Sequence, residues 1–426
     1  MNLRKLSYVI QLMSLGPRIE LITTGTELLD TRLNGHVVFI GSALRDTGYR
    51  LIRQTSVPDG PELEPILRDT IHRADVVLVT GGLGPTTDDL TRETTAKILG
   101  LPLLHDEEIA EHIKAYFAKR DRVAPDYVYR QASVPEGAEV IANPSGTAPG
   151  LFMSYAGTQI YLLPGPPREL IPMWNDFVSP RIQGAFPLQQ ILQHRVIRVA
   201  GLGESDVQTR VEKAISTEHL YELGYCAHPG IVDVRLVSES GPLLDEMVNS
   251  LENEFAVECF TSQGKSLAES LIQSAQEKKI EVATVESCTG GLAAHRLIQV
   301  PGASAVVDRS WVTYSDQAKN ECLEVPTALL EKEGAVSAAV AKAMAAGALH
   351  HSRADLAISI TGVAGPTGGT EEKPVGTVWF GLAKRLENGD IQTEAKRKTL
   401  PPDRNTFQDM AATFALNWLR IAVNES

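Results

Sequence analysis

A chain of 426 residues with 43% hydrophobic and 22% charged side chains has the composition of a globular protein long enough for roughly three domains. Its formal charge of -13 argues against a general nucleic-acid or membrane surface, because binding to a phosphate backbone needs a basic footprint. Cys226, Cys259, Cys288 and Cys322 are scattered without a CxxC or Cys/His cluster, which speaks against a disulfide framework or zinc site and fits a reducing cytoplasm.

The first 16 residues carry a short apolar run broken by Ser7, Gln11 and Ser14 and no small-residue cleavage site, so a tail is expected there rather than a signal peptide. No apolar stretch approaches the ~20 residues of a membrane span. From 17 to 180 one grammar repeats: an apolar run, a Gly-rich turn, then a helical pattern. "IELITTG" leads into "TELL", "ADVVLVTGGLGPTTDD" into "LTRETTAKILG", and "IYLLPGPP" into "RELIPMWNDFV". Alternating strands and helices predict a largely parallel α/β sheet whose ligands bind at the carboxyl ends of the strands.

In the second of these loops Gly81, Gly82 and Gly84 allow close approach of the backbone, and Thr86 to Asp89 fall where a helix begins. A phosphate on the amides fits there, and so does simple capping of the helix by Asp88 and Asp89. Glu27 from the first loop adds a carboxylate of the kind a hard divalent cation takes, and such an ion would orient water for cleavage of a diphosphate. Pro164 and Gly165 form a rigid strand-to-helix turn.

Residues 187–262 read as a small α+β unit with no chemistry-bearing motif, suited to linking or packing. A third unit, 265–426, opens with the amphipathic "SLAESLIQSAQEKK" and the strand "IEVATV", which runs into "ESCTGG". Ser337 is the expected N-cap of a later helix, and "DLAISITG" is a buried strand that opens into "VAGPTGGT". That loop lacks the Lys-Ser/Thr of a P-loop, which removes an ATPase reading and leaves a backbone cradle for one phosphate.

Ser287, Cys288 and Thr289 read first as caps for the next helix. Cys288 has no base close in sequence; His295 is seven residues away, about 10 Å along a helix, and only folding could bring in His350 or His351. Serine has another option, since Tyr314 and Lys319 of "TYSDQAK" follow in the same unit. Serine–lysine pairs hydrolyse amides when burial lowers the lysine pKa.

These motifs, in this order, give the chain from about Ile19 onward a resemblance to the competence/damage-inducible protein A (CinA) family. They are "TGTELL", "TGGLGPTTDD", "LLPGPPREL", "ESCTGG", "PGASAV", "VTYSDQAK" and "GVAGPTGGTEEKPVGTV". The resemblance implies a MoaB/MogA-like three-layer α/β first domain, a small α+β middle domain and a C-terminal α/β nicotinamide mononucleotide (NMN) amidohydrolase domain. It further implies that deamidation needs no cofactor and makes Ser287 the nucleophile, Tyr314 and Lys319 the proton-transfer pair, and Ser304 a further polar residue of the site. Thr361, Gly362 and Gly365 would hold the ribose phosphate; apart from the resemblance, the backbone amides near Thr289 and Gly290, at the start of a helix, are candidates to receive the oxyanion.

Some members also cleave ADP-ribose in the first domain. The expectation there is a divalent metal (Mg, Mn or Co type) on Glu27, Asp88 and Asp89, with Gly81, Gly82, Gly84, Thr86, Pro164 and Gly165 around the nucleotide. A homodimer is also implied, with small-molecule nucleotides and neither nucleic acid nor membrane as partners. The contrasting reading is a nucleotide-binding regulatory or scaffold protein with degenerate sites. Asp316 stands where the family more often has asparagine, and its carboxylate favours the charged form of Lys319.

Overall fold

The structure is a computed structural model that describes residues 16–30, 33–188, 192–218, 220 and 222–426. All but Gly16 of the expected N-terminal tail lies outside the described residues. Two compact units divide between Gln193 and His194.

In the first unit, strands β1 (Ile19–Thr24), β2 (Leu51–Val57), β3 (Val76–Thr80), β6 (Glu139–Ile141), β7 (Gly150–Tyr155) and β8 (Thr158–Leu163) form one sheet in the order β2-β1-β3-β8-β7-β6. β2, β1, β3 and β8 run parallel, and β7 and β6 extend the sheet antiparallel. β4 (Leu103–His105) and β5 (Ser133–Pro135) pair as a separate ribbon.

Alternation along the strands supplies two cores, one per face. Ile22, Val77, Val79, Ile160 and Leu162 pack under α3 (Leu63–Arg73) and α5 (Glu107–Ala118). Ile19, Leu21, Val76, Leu78 and Leu163 pack under α2 (Gly35–Asp46) and α6 (Pro167–Met173). The first unit therefore has the three-layer α/β architecture expected of it. The short α1 (Glu27–Asp30), α4 (Thr91–Leu99) and α7 (Ser179–Ala185) complete the helices of this unit.

The second unit joins two sheets. β9 (Gln193–Ala200), β10 (Glu222–His228), β11 (Ile231–Ser238) and β12 (Cys259–Thr261) form a four-stranded sheet in the order β10-β11-β9-β12. It shares a core with α8 (Glu204–Ala214) and α9 (Gly241–Glu254), the small α+β element expected in the middle of the chain.

The other sheet has the order β14-β13-β15-β16-β17. β13 (Val282–Glu286) lies parallel to both β14 (Val307–Val312) and β15 (Leu356–Gly362), while β16 (Thr377–Arg385) and β17 (Ile391–Thr399) continue antiparallel. On one face pack α10 (Leu267–Lys278), α11 (Leu292–Ile298) and α15 (Arg404–Glu425), with Leu271, Leu297, Ile358, Phe380 and Phe407 in the core between them. On the other lie α12 (Asp316–Leu323), α13 (Thr327–Glu333) and α14 (Ala338–His350), whose Leu323, Leu330 and Met344 pack on Ala283 and Val285.

Local signals hold these helices where the sequence places them. Ser266 and Glu269 form a capping box on α10, and Ser337 accepts from the Val340 amide at the start of α14. At Gly347 a Cβ would overlap the Leu323 carbonyl, so glycine lets α14 approach α12 closely. That contact sets the position of Lys319, on α12, over the sheet.

Candidate active site

β13 ends at Glu286, and the amide of Ser287 carries the ladder one residue further by donating to the Ile360 carbonyl of β15 at 2.9 Å. The next turn does not cap its helix with a hydroxyl. The buried carboxylate of Glu286 does so instead, accepting from the amides of Gly291, Ala293 and Ala294 at 3.0, 3.1 and 2.8 Å. Anions are stabilised at a helix start, and a carboxylate there occupies the amides that a serine cap would otherwise take. Ser287 is thereby left out of the cap.

Its hydroxyl faces Lys319. The amine lies 3.4 Å from Ser287 Oγ, 3.2 Å from the Tyr314 carbonyl and 3.5 Å from the Ser315 carbonyl, and the side chain is 1% exposed. Burial lowers the Lys319 pKa, because the charged form loses its water. The Asp316 carboxylate stands 3.7 Å away and pulls the other way, as expected from the sequence, but desolvation is the larger effect. The amine donates to both carbonyls and lies within reach of Ser287 Oγ; once deprotonated it would keep two N–H groups for the carbonyls and have a lone pair free for the serine proton.

Cys288 is excluded as the nucleophile. It packs in the apolar core with Ala293 and Leu297, and burial pushes its thiol up to about 12.

Three other expected positions call for correction. Ser304 is exposed on the turn Ala303–Ala305, before β14 begins, at the amino edge of the sheet. A six-residue strand spans about 20 Å, so Ser304 does not join Ser287 within one chain. The Tyr314 side chain is 63% exposed and its hydroxyl has no partner among the described residues; the carbonyl of this residue, not the phenol, meets Lys319. The Gly290 amide is turned to the Ser287 carbonyl at 3.3 Å, so it does not face an oxyanion in this geometry. Thr289 is buried, and its hydroxyl has no partner among the described residues.

Thr361 continues β15 beside Ser287, since Glu286 pairs with Ile360, and its hydroxyl donates to the Ala335 carbonyl at 2.9 Å. At Gly362 a Cβ would press on the Thr377 carbonyl and Phe407, so the strand end admits only a hydrogen there. Gly365 accepts through its carbonyl from Arg404 at 2.9 Å. Arg404, exposed at the start of α15, is a residue that no sequence motif indicated; its charge is also felt at Cys288, and Gln408 one turn on donates to the Cys288 carbonyl at 2.7 Å. The head of α15 thus ties the Gly-rich loop to the serine turn and leaves a cation at their edge.

The first unit carries a separate cleft of about 730 Å³. Gly81, Gly82, Gly84, Pro164, Gly165, Glu27 and Asp89 line it, together with His36, Asp59, Tyr116 and Glu169. Thr86 and Asp88 are exposed and outside this lining. The loop is held from below: buried Arg92 donates to the Leu83 carbonyl at 2.7 Å, and Arg130 donates to the Thr86 carbonyl at 2.8 Å. His36 Nδ1 meets the Thr80 hydroxyl at 2.9 Å, and desolvation lowers its pKa.

Asp89 is turned back onto the amide and hydroxyl of Thr86, which braces the loop; the helix that follows has Leu90 at its N-cap and no side-chain cap, so Asp89 does not fill the capping role the sequence left open. Asp59 accepts from the Thr26 amide at 3.1 Å; burial raises its pKa, and Glu27, Asp88 and Asp89 add to the effect by repulsion. Among the described residues no three of His, Cys, Asp or Glu converge to hold one ion. As arranged, Glu27, Asp88 and Asp89 do not form the expected metal site.

Fold and site together define a chain of α/β units with loop-built sites at carboxyl sheet edges and a buried serine–lysine pair, the equipment of an enzyme. Residues 20–184 match the probable molybdopterin binding domain family, 194–255 the damage-inducible protein CinA KH domain, and 264–423 the CinA C-terminal domain. The chain belongs to the CinA family. It is 44% identical to a CinA-like protein of Akkermansia muciniphila, covering 94% of this chain and 96% of that one. To a CinA-like protein of Dictyoglomus thermophilum it is 36% identical, covering 95% and 98%. The competence/damage inducible protein CihA of Agrobacterium tumefaciens, a solved structure, is 40% identical, covering 38% of this chain and 99% of that one with a TM-score of 0.35. Among the described residues no helix is long and apolar enough to cross a membrane.

Proposed function

We propose that the chain hydrolyses the carboxamide of NMN to give nicotinic acid mononucleotide and ammonia, with Ser287 as nucleophile. The observation that carries this reading is the buried Lys319 amine 3.4 Å from Ser287 Oγ, its pKa lowered by desolvation. The family resemblance supplies the substrate. In the first step Lys319 takes the Ser287 hydroxyl proton as Oγ bonds to the carboxamide carbon and the carbonyl electron pair moves to oxygen. The tetrahedral adduct collapses, the C–N bond breaks, and the Lys319 ammonium returns the proton to the departing ammonia. Water then attacks the serine ester, again deprotonated by Lys319, and the acid leaves as Ser287 recovers its proton. Gly362, Gly365 and Arg404 are suited to the ribose phosphate, the loop by its close-approach backbone and the arginine by its charge.

The experiment is to incubate purified protein with NMN and follow ammonia and nicotinic acid mononucleotide. Equimolar release, unchanged by EDTA, is expected. Tight NMN binding with no product would sink the amidase and favour the regulatory, non-catalytic reading.

A second site is supported by the cleft of the first unit, whose volume of about 730 Å³ suits a nucleotide. We propose ADP-ribose as its ligand. A divalent cation stays a proposal tied to that ligand, since Glu27, Asp88 and Asp89 would have to rearrange to bind one. Cleavage of ADP-ribose that requires Mg, Mn or Co would support it; cleavage that survives EDTA would remove the metal.

A further inference from the structure

Three strand ends stand side by side at the carboxyl edge of the second sheet, and each presents a hydroxyl residue. The pairing of Glu286 with Ile360 and with Val312 makes Thr361 and Thr313 the neighbours of Ser287 on its two sides. The Thr313 amide continues the ladder by donating to the Glu286 carbonyl at 2.9 Å. Alternation fixes the face: Val285 and Trp311, one pleat earlier on the two strands, both pack against the core under α12 to α14, and Val312 between Trp311 and Thr313 is exposed. Thr313 therefore shares with Ser287 the face over which Lys319 lies, on an adjacent strand about 4.8 Å away.

Of the three, Thr361 has its hydrogen bond to Ala335 and Ser287 has Lys319. Thr313 is 0% exposed and its hydroxyl has no partner among the described residues. A buried donor without a partner is costly, and where a fold keeps one beside a reacting group, a ligand atom is the natural acceptor. Four backbone amides of the serine turn are already engaged: those of Gly291, Ala293 and Ala294 by Glu286, and that of Gly290 by the Ser287 carbonyl.

We propose that Thr313 is a catalytic residue of the deamidation, its hydroxyl donating a hydrogen bond to the carboxamide oxygen of the substrate as that oxygen becomes negative. This rests on the amidase reading above. The proton stays on Thr313 throughout: Ser287 Oγ bonds to carbon, the carbonyl pair moves to oxygen, and the Thr313 O–H stabilises it until the pair returns and ammonia leaves.

The test compares wild type, Thr313→Val and Thr313→Ser in kcat and KM for NMN and in thermal unfolding. Valine keeps the shape and removes the donor. Loss of one donor to an oxyanion lowers kcat by about 10²- to 10³-fold. The expected result is that loss in Thr313→Val with KM little changed, an unfolding temperature equal to or above that of wild type because an orphaned polar group is gone, and near-normal kcat in Thr313→Ser. Wild-type kcat in Thr313→Val overturns the proposal. So does a kcat loss matched by a lowered unfolding temperature and not rescued by serine, which would mark a packing role. Absence of turnover in wild type would instead refute the amidase reading, and this proposal with it.

Discussion

Replacing Asp316 by Asn should make the amidase more active on the acid side of its pH profile. Lys319 must be neutral to accept the serine proton, and the Asp316 carboxylate 3.7 Å from its amine favours the charged form. Coulomb's law gives about 1 kcal/mol for such a pair in water and about 4 kcal/mol at an effective dielectric of 20, which is an upper bound. The carboxylate is 60% exposed, so solvent screens it, and about 0.2–1 kcal/mol is the appropriate range. That corresponds to about 1.4- to 5-fold. The sign follows from the direction of the effect: removing a charge that raises the lysine pKa lets the amine shed its proton at lower pH. The assay is kcat/KM for NMN across the pH range. The acid limb should move to lower pH by that factor, while the alkaline plateau, where Lys319 is already neutral, stays at the wild-type level. An unmoved limb, or one displaced to higher pH, would refute Lys319 as the base.

Cys288→Ala should retain deamidase activity, measured as ammonia release, because a thiol pushed up to about 12 supplies no thiolate at neutral pH. Glu286→Gln should destabilise the second unit by about 2–3 kcal/mol in urea unfolding, since the amides of Gly291, Ala293 and Ala294 lose a charged acceptor. In the first unit, Gly82→Ala should abolish ADP-ribose binding in calorimetry: φ of +65° disfavours a side chain, and a Cβ would overlap the Thr91 hydroxyl and displace the Gly82 backbone that lines the cleft.

Much of the architecture was legible from periodicity. "DLAISITG" and "ADVVLVTGG" are buried strands opening into loops, and both loops lie at carboxyl edges, as the strand–helix alternation implied. The serine turn was harder to read, because hydroxyls before a helix usually cap it. Glu286 takes that role through backbone amides, which leave no mark in the sequence. Lys319 was visible only as a nearby lysine; its burial depends on α14 packing against α12 at Gly347, a tertiary fact. Arg404 follows Ser287 by more than a hundred residues at the head of an ordinary amphipathic helix, and Asp59 sits in a plain "PDG" turn, so neither stood out. Ser304 was assigned by resemblance alone, and its place before β14 puts it at the opposite sheet edge. In the first domain "TTDD" supported a cap and a metal site equally, and Asp89 does neither as arranged: it braces the loop through Thr86, while the helix that follows has Leu90 at its N-cap and no side-chain cap.

The central claim, that Lys319 activates Ser287 against a carboxamide, is tested most directly by ammonia release from NMN in the wild-type protein and in Ser287→Ala. The account predicts steady release from the wild type and none above background from the variant. Equal release from both would contradict it.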